Sequence, residues 1–384
     1  MSTYSLKMPP NVYAGEGSLG TLPAILEQSN AKRLVIFTDK GIRNAGLLDL
    51  VLEVLPEQWK NAPVLDDLPP EPTYSQVQKL VDQCRELGAD FIVAVGGGSV
   101  MDTAKLASLL MDGTVTVKDL LDNPLQGRKC CPVAAIPTTA GTGAEATPNA
   151  IVAVPEKELK VGIVNPAMIS DYVILEPAMI RNLPRKIAAA TGVDAMAHAI
   201  ECFTSNKATP FSDAFALRAF EIIMKNIVPA CDDTSAMDAK SQMLIASFFA
   251  GVAITASGTT AVHALSYPLG GKYHIAHGVS NAILLTPVMR FNQSAIAERM
   301  AIAYDRCFEN GQGLTAAEKA DALITRMEEI VKHLDIPTSL KEFNVPEGDL
   351  ETLVESGMQV TRLLNNNMRK VEEADARAIY RQIL

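Results

Sequence analysis

Four side chains in the second half of the chain have the types and spacing of a metal site. Asp194 and His198 lie four residues apart on an alanine-rich segment, so both would project from the same face of a helix. Burying a carboxylate and an imidazole without partners is costly. A divalent cation that also binds His263 and His277 would satisfy both groups and leave room for a substrate oxygen. The alternative is an Asp–His hydrogen-bonded pair and two unrelated histidines.

This donor set narrows the choice of cation. One carboxylate and three imidazoles suit Fe²⁺ or Zn²⁺ better than Mg²⁺ or Ca²⁺, which prefer oxygen ligands. Because intrinsic affinity favours zinc, the metal found in a preparation can differ from the metal used in the cell.

A glycine-rich turn in the first half of the chain has the chemistry of a phosphate site. Gly96, Gly97 and Gly98 stand between an apolar run and a helical pattern. Glycines let the backbone approach a ligand closely, and the free N–H groups and positive dipole end of a helix favour a pyrophosphate. Ser99 followed by Asp102 predicts a helix N-cap with an acidic side chain three residues later. The turn is neither a P-loop nor a GxGxxG fingerprint, and a tight turn that binds no ligand is the alternative.

A second polar loop follows another short apolar run. Thr138, Thr139 and Thr142 bring three hydroxyl groups, with Gly141 and Gly143 between and after them. These groups suit the sugar and phosphate oxygens of a nucleotide, although an ordinary polar loop has the same composition. Two such loops at the carboxyl ends of neighbouring strands indicate a shared ligand more strongly than either loop alone.

Asp39 ends the apolar run RLVIFTD (33–39). A carboxylate at this place can accept hydrogen bonds from adenosine ribose hydroxyls and repel a 2′-phosphate, which favours NAD over NADP. An ordinary turn aspartate before Gly41 is the alternative.

The elements that must position these residues divide the chain in two. In the first part, the β-rich runs at 33–39, 90–98 and 132–139 end in polar or glycine residues, and Ser75 to Leu87 has helical spacing. Strands that alternate with helices predict an α/β dinucleotide-binding domain with a mostly parallel sheet. We place this domain at residues 1–182.

The second part, residues 183–384, is predicted to be an all-helical domain that binds metal and substrate. The sequence SYPLGG (266–271) is expected to break the chain between His263 and His277, so that a helix–turn–helix returns both to one point. Helices are predicted at 185–204, 212–227, 239–264, 296–308, 316–334 and 350–364.

Composition argues against several classes of function. The formal charge of −10 is unfavourable for binding nucleic acid or an anionic membrane face. The start MSTYSLKMPP has no apolar signal core, apolar runs stop short of membrane-spanning length, and the cysteines form no CxxC pair. We therefore expect a cytoplasmic globular enzyme with reduced thiols.

Four stretches of the sequence together resemble one enzyme family. They are VGGGSVMDTAK (95–105), IPTTAGTGAE (136–145), GVDAMAHAIE (192–201) and HALSYPLGGKYHIAHGVSNA (263–282). In this order they resemble the iron-containing (group III) alcohol dehydrogenases, relatives of lactaldehyde reductase and 1,3-propanediol dehydrogenase. The resemblance implies a dehydroquinate synthase-like fold and a metal-dependent, NAD(P)-linked alcohol dehydrogenase or aldehyde reductase acting on a small alcohol. It also implies a homo-oligomer, dimeric or larger.

The resemblance further assigns roles to individual residues. It puts the Asp/His set at the metal, with Fe²⁺ or Zn²⁺ bound, and it makes Asp39 the screen against NADP. It counts Gly96 among the cofactor-binding residues and assigns the pyrophosphate contacts to Gly97, Gly98, Ser99 and Asp102. The phosphate and nicotinamide half of the cofactor would contact Thr138, Thr139 and Thr142. The nicotinamide ribose would contact Lys160.

The sequence departs from the family pattern at three positions. Met368 replaces the proline usual in an Asn-Asn-Pro-Arg run near the C-terminus, with a minor effect, and the other two bear on the site. Tyr267 stands where many members have a histidine that helps to relay the proton, so Tyr267, His274 or the cofactor ribose hydroxyls are expected to serve instead. Glu71 stands where an asparagine commonly precedes Pro-Thr, which alters the adenosine-side contacts.

Other activities stay open on the sequence. A dehydrogenase of the same fold could act on a short hydroxy acid, and a dehydroquinate-synthase-like lyase or a non-catalytic nucleotide or metal sensor would share the motifs. The lyase should cluster Lys and Arg near the metal to hold phosphate or carboxylate. Between Gly251 and Ala282, Lys272 is the only basic residue besides histidine, which disfavours the lyase.

Overall fold

The structure, a computed structural model, describes residues 3–157 and 159–384. These residues form two compact units. The N-terminal unit is Lys7–Leu183, and the C-terminal unit is Pro184–Leu384 together with residues 3–6.

A parallel sheet forms the centre of the N-terminal unit. The strands are β1 (Asn11–Ala14), β2 (Leu34–Phe37), β3 (Val64–Leu65), β4 (Phe91–Gly96), β5 (Val133–Pro137), β6 (Asn149–Val154), β7 (Leu159–Val164) and β8 (Tyr172–Leu175). The sheet has the order β1-β8-β5-β4-β2-β3, and every neighbouring pair in it is parallel. Strands β6 and β7 form a separate antiparallel pair.

Helices cover both faces of this sheet. Phe91 and Val93 of β4 point into one core, while Ile92 and Ala94 point into the other. The strand is therefore apolar at every position, as expected for a parallel sheet between two helical layers. The first core includes residues of α1 (Leu22–Gln28) and α3 (Leu47–Val54), and α2 (Lys40–Asn44) lies between these two helices in the sequence. The second core includes residues of α4 (Tyr74–Glu86), α5 (Gly98–Leu110) and α6 (Val117–Asp122).

The predicted α/β architecture of this unit is confirmed. The runs at 33–39, 90–98 and 132–139 contain β2, β4 and β5, and the helix predicted from Ser75 to Leu87 is α4. Strand β4 pairs with β2 on one side and with β5 on the other. The glycine-rich turn and the threonine loop therefore follow the carboxyl ends of adjacent strands.

In its described residues, the C-terminal unit is built from helices joined by loops, as predicted. Helix α7 packs against α8, α9 and α11, and α10 packs against α11. The helices are α7 (Arg185–Phe203), α8 (Pro210–Asp232), α9 (Met237–Ser257), α10 (Ala261–Tyr273), α11 (His277–Cys307), α12 (Ala316–His333), α13 (Leu350–Met358), α14 (Thr361–Leu364) and α15 (Glu373–Ile383).

Several helix boundaries differ from the predicted ones. The predicted helix 239–264 is two helices, because Gly258 after α9 has a φ of +74°, in the left-handed region that favours glycine. The predicted break at 266–271 is wrong: α10 continues through Pro268, and the chain turns at His274, which has a φ of +55°. The predicted helix 296–308 is the end of α11, and the predicted helix 350–364 is divided into α13 and α14.

Helix α9 is the one helix in residues 3–157 and 159–384 that is long and apolar enough to cross a membrane. It meets this criterion by length and composition alone, and 61% of its apolar window is buried inside the protein. Because α9 packs along α7 and α8, it has the surroundings of a core helix.

Candidate functional site

Asp194, His198, His263 and His277 converge in the C-terminal unit. One ligand atom from each lies within 4.8 Å of the others. Oδ1 of Asp194 is 3.6 Å from Nε2 of His263 and 3.7 Å from Nε2 of His277, and the rings of His198 and His263 stack with centroids 4.5 Å apart. His277 is partly exposed, whereas the other three side chains are buried.

Glu201 connects α7 to the start of α10. Its Oε1 accepts hydrogen bonds from the N–H groups of Thr260 and Val262, at 3.0 and 2.9 Å, and from the Thr260 hydroxyl at 2.7 Å. Its Oε2 is hydrogen-bonded to Nδ1 of His263. A carboxylate from α7 thus caps the N-terminus of α10, where the helix dipole favours negative charge. The same carboxylate orients the His263 ring so that Nε2 faces Asp194.

Gly278 allows α11 to lie directly against α7. A Cβ atom at this position would lie 2.3 Å from the carbonyl oxygen of Ala190, so the contact leaves no room for a side chain. The close approach brings His277, at the start of α11, next to Asp194 on α7.

Asn281 lies one turn after His277 and faces the cluster. Its Nδ2 donates to Oδ1 of Asp194 at 2.6 Å and lies 3.1 Å from Nε2 of His263 and 3.2 Å from Nε2 of His277. Its buried Oδ1 has no hydrogen-bond partner among the described residues. The lone pairs that this amide contacts are the ones that a cation would take.

The cluster favours ionised carboxylates. Burial alone would raise the pKa of Asp194, but the charges of His198 and His277 and a hydrogen bond from His263 hold it below its ordinary value. Burial would lower the pKa of His263, yet Glu201 and Asp194 raise it to about 9. Burial also opposes ionisation of Glu201, and His263 nevertheless holds the pKa of Glu201 below its usual range.

The donor set and its spacing fit a ferrous or zinc ion. A tetrahedral ion with bonds of about 2.1 Å has ligand atoms about 3.4 Å apart. The distances of 3.6 and 3.7 Å from Asp194 to the two Nε2 atoms are close to this value. Metal-binding histidines usually donate their other ring N–H to a carboxylate or carbonyl, as His263 can do to Glu201.

Sequence reasoning missed Glu201 and Asn281, although a signal for both was present. Glu201 follows Asp194 by seven residues and His198 by three, while Asn281 follows His277 by four. On a helix these spacings put each residue on the face that carries the candidate ligands. Polar side chains at these positions of apolar helices therefore point to the same site.

The two candidates for the proton relay lie in different surroundings. Tyr267 is on α10, one turn after His263, and is buried with its ring centroid 6.3 Å from that of His277. His274 ends α10 with a left-handed backbone and an exposed side chain. Of the two, Tyr267 is the one whose ring contacts the cluster within the described part of the chain.

The N-terminal unit has a cavity of about 700 Å³ where β2, β3 and β4 end. Asp39 lines this cavity together with Gly97, Gly98 and Ser99. One carboxylate oxygen of Asp39 caps α2 by accepting a hydrogen bond of 2.9 Å from the N–H of Ile42. Asp39 is thus a turn residue that also faces the cavity, so its two interpretations are compatible.

The glycine-rich turn starts its helix earlier than predicted. Helix α5 begins at Gly98 with Gly97 as the N-cap, so the predicted cap at Ser99 is wrong. A Cβ atom on Gly96 would lie 2.5 Å from Val100 Cγ2, which shows that the tight turn requires glycine there. The backbone rather than a side chain thus faces the cavity at the helix start.

Asp102 is engaged inside the unit. Its Oδ2 accepts a hydrogen bond of 2.9 Å from the N–H of Ile151, and its Oδ1 lies 2.9 Å from the Lys105 ammonium. Lys105 is fully buried and also donates to the carbonyl oxygen of Ala144 at 2.8 Å. Asp102 therefore joins α5 to β6, and its contact with a pyrophosphate stays a prediction.

The threonine loop lies beside the glycine turn. A Cβ atom on Gly97 would be 3.6 Å from Thr139 Oγ1, and one on Gly98 would be 3.1 Å from Thr142 Cγ2. Thr138 is fully buried, and its hydroxyl has no hydrogen-bond partner among the described residues. The structure therefore brings the two predicted loops together.

Lys160 lies on β7, where its buried ammonium is 2.6 Å from Oε1 of Glu71. Glu71 has a φ of +53°, a left-handed conformation that asparagine adopts more readily than glutamate. Glu71, one of the residues that depart from the family pattern, is thus the ion-pair partner of the lysine predicted to contact the nicotinamide ribose.

Comparison with known proteins gives matches over both units. Residues 9–177 match the family described as iron-containing alcohol dehydrogenase, and residues 188–384 match the C-terminal part of the Fe-containing alcohol dehydrogenase family. Long-chain-alcohol dehydrogenase 1 of Geobacillus thermodenitrificans is 34% identical over 99% of this chain and 96% of its own. NAD-dependent methanol dehydrogenase of Bacillus methanolicus is 31% identical over 92% of each. The solved structure of a 1,3-propanediol oxidoreductase superimposes with a TM-score of 0.92, 29% identity and full coverage of both chains.

Proposed function

The protein belongs to the iron-containing alcohol dehydrogenase family, and we propose that Asp194, His198, His263 and His277 hold its metal ion. It is an NAD(P)-linked, metal-dependent alcohol dehydrogenase. The observation that carries the proposal is the approach of these four ligand atoms to within 4.8 Å of one another. A ferrous ion in this place would supply a Lewis acid that lowers the pKa of an alcohol, and the nicotinamide would supply the hydride acceptor.

The proposal places the nucleotide against the cavity of the N-terminal unit. The N-terminus of α5 offers backbone N–H groups at Gly98 and Ser99 to a pyrophosphate. Asp39 favours NAD because its carboxylate lines the same cavity and repels a 2′-phosphate. The name of the NAD-dependent methanol dehydrogenase agrees with this choice. Further contacts are assigned to Gly96, Gly97, Asp102, Thr138, Thr139, Thr142 and Lys160.

Tyr267 is the residue that we assign to proton transfer. It is buried beside His277, whereas the His274 side chain is exposed. A phenol hydroxyl can pass a proton between a substrate oxygen and a second group. His274 is kept as the alternative for a relay that reaches solvent.

The substrate that we propose is a small uncharged alcohol. Lys272, the basic residue nearest in sequence to the metal motif, is held by Asp349 at 2.9 Å. A hydroxy acid would need a free cation to hold its carboxylate, so this second candidate has less support. The names of three of the relatives refer to methanol, long-chain alcohols and 1,3-propanediol, which are uncharged. We also propose that the protein is a cytoplasmic homo-oligomer. The charge of −10 is unfavourable for binding an anionic membrane face.

The metal assignment is tested with His263→Ala and His277→Ala, and with His333→Ala as the matched control. His333 is exposed on α12 and paired with Asp232 at 2.6 Å. Formation of reduced nicotinamide is followed by absorbance with a panel of short alcohols, both cofactors, and Fe²⁺ or Zn²⁺. Loss of a ligand should lower turnover by at least about a hundredfold while NAD binding persists, because several kcal/mol of Lewis-acid stabilisation disappear. Near-normal rates of either variant in metal-free buffer would show that the metal-centred scheme is wrong.

A further inference from the structure

The cavity of the N-terminal unit carries a second acidic residue besides Asp39. Asp67, which follows β3, lines this cavity together with Lys40 and Lys79. The Lys40 ammonium lies 2.8 Å from Oδ1 of Asp67, and the Lys79 ammonium lies 3.3 Å from Oδ2. One carboxylate thus holds two lysines that come from different helices, α2 and α4.

This cluster has two ammonium groups and one carboxylate, and their ion pairs stabilise the charged form of each partner. Hydrogen bonds from Lys40 and Lys79 lower the pKa of Asp67, and the hydrogen bond to Asp67 raises the pKa of Lys40. The three side chains are between 59% and 67% exposed, so both ammonium groups can be reached by a ligand. With Asp39 included, two carboxylates and two ammonium groups line this part of the cavity.

We propose that Asp67 is a second determinant of the preference for NAD over NADP. The inference rests on the proposed function, in which this cavity binds a dinucleotide. A 2′-phosphate carries roughly −1.5 to −2 charges at neutral pH, and adjacent lysines are suitable partners for it. Asp67 pairs with the two lysines that could take this role and offsets part of their positive charge, while Asp39 repels the phosphate directly. NAD lacks the phosphate, so its affinity depends little on Asp67.

The test compares Asp67→Asn with Asp82→Asn. Asp82 lies on α4 near Lys79 in sequence but is paired with Arg85 at 2.8 Å, so its variant makes the same change in net charge at another place. Dissociation constants of NAD⁺, NADP⁺, 5′-AMP and 2′-AMP are measured at low and high salt. Asp67→Asn should tighten NADP⁺ and 2′-AMP by about five- to tenfold and change NAD⁺ and 5′-AMP by less than about twofold. The gain should shrink at high salt and should be absent in Asp82→Asn.

A triple variant checks that the lysines are responsible. Adding Lys40→Gln and Lys79→Gln to Asp67→Asn should abolish the gain for NADP⁺, and Asp67→Ser should reproduce the gain if asparagine disturbs the turn. If the wild-type protein binds NAD⁺ and both Asp67 variants keep its NADP⁺-to-NAD⁺ ratio, the inference fails and the proposed function stands. If the wild-type protein binds neither dinucleotide nor AMP, both the inference and the proposed function fail.

Discussion

Glu201 performs two structural tasks with one carboxylate. Its Oε1 accepts hydrogen bonds from the N–H groups at the start of α10, and its Oε2 is hydrogen-bonded to His263. A residue of this kind contacts no substrate, yet it decides where the Nε2 lone pair of a ligand points. Asn281 differs, because its amide contacts the Oδ1 atom of Asp194 that faces the histidines, through a hydrogen bond of 2.6 Å.

Replacing Glu201 by glutamine should therefore weaken metal binding. The amide oxygen can still accept hydrogen bonds from Thr260 and Val262, but the amide group supplies no negative charge to His263. We expect the affinity for Fe²⁺ or Zn²⁺ to fall about 10- to 100-fold with little change in the melting temperature. Competition with a chelator measures this affinity. The control is Glu221→Gln, because Glu221 lies on α8 and is paired with Arg218 and Lys225. Equal metal affinities in the two variants would argue against a role of Glu201 in orienting His263.

Residues of rare type could be predicted from the sequence more readily than the residues that orient them. The chain has five histidines, so three of them within 15 residues stand out by type alone. Glutamate and asparagine are common, and only their helical spacing from the ligands marks Glu201 and Asn281. The cap at Ser99 was mispredicted because Gly96 and Gly97 already complete the turn, a backbone property that side-chain patterns do not report.

At the scale of elements, the packing of α11 on α7 determines where His277 lies. Gly278→Ala should push the two helices apart, because its Cβ would meet the carbonyl oxygen of Ala190 at 2.3 Å. Overpacking of this kind costs roughly 1–3 kcal/mol, so we expect a lower melting temperature together with weaker metal binding. Thermal unfolding and chelator competition measure the two effects.

Gly348→Ala is the control for this helix contact. No atom lies within 4 Å of a Cβ built on Gly348, which also belongs to the C-terminal unit. This variant should keep both the melting temperature and the metal affinity of the wild-type protein. A Gly278→Ala protein that also keeps both values would show that the contact tolerates a methyl group, and that another feature positions His277.

Helices could be predicted from periodicity, but their exact ends depended on tertiary contacts. Pro268 lies inside α10 although it cannot donate a backbone hydrogen bond, because the helix around it is buried and held by its neighbours. The helix ends at His274, which has a left-handed backbone. A histidine in the sequence does not reliably indicate this backbone conformation. Gly258 gave a usable signal, since a glycine near the end of an apolar run marks a helix terminus.

At the scale of the whole molecule, the two proposed binding sites belong to separate units. The Asp/His cluster lies entirely within Pro184–Leu384, and the glycine turn, the threonine loop and the cavity lie within Lys7–Leu183. This division follows the change in sequence character near residue 183, from β-rich runs to long apolar helices. Each binding event should therefore respond to substitutions in its own unit.

Gly97 allows this independence to be tested with one pair of variants. Its backbone is extended, with a φ of −84°, and a Cβ atom would make an ordinary contact of 3.6 Å with Thr139, so the fold should accept a side chain there. Gly97→Asp puts a carboxylate at the start of α5 and should weaken NAD⁺ binding at least about tenfold by repelling the pyrophosphate. Gly97→Asn has the same shape without the charge and should weaken it less. Metal affinity by chelator competition should stay at the wild-type value in both variants; a parallel loss of metal binding in Gly97→Asp would show that the units do not bind independently.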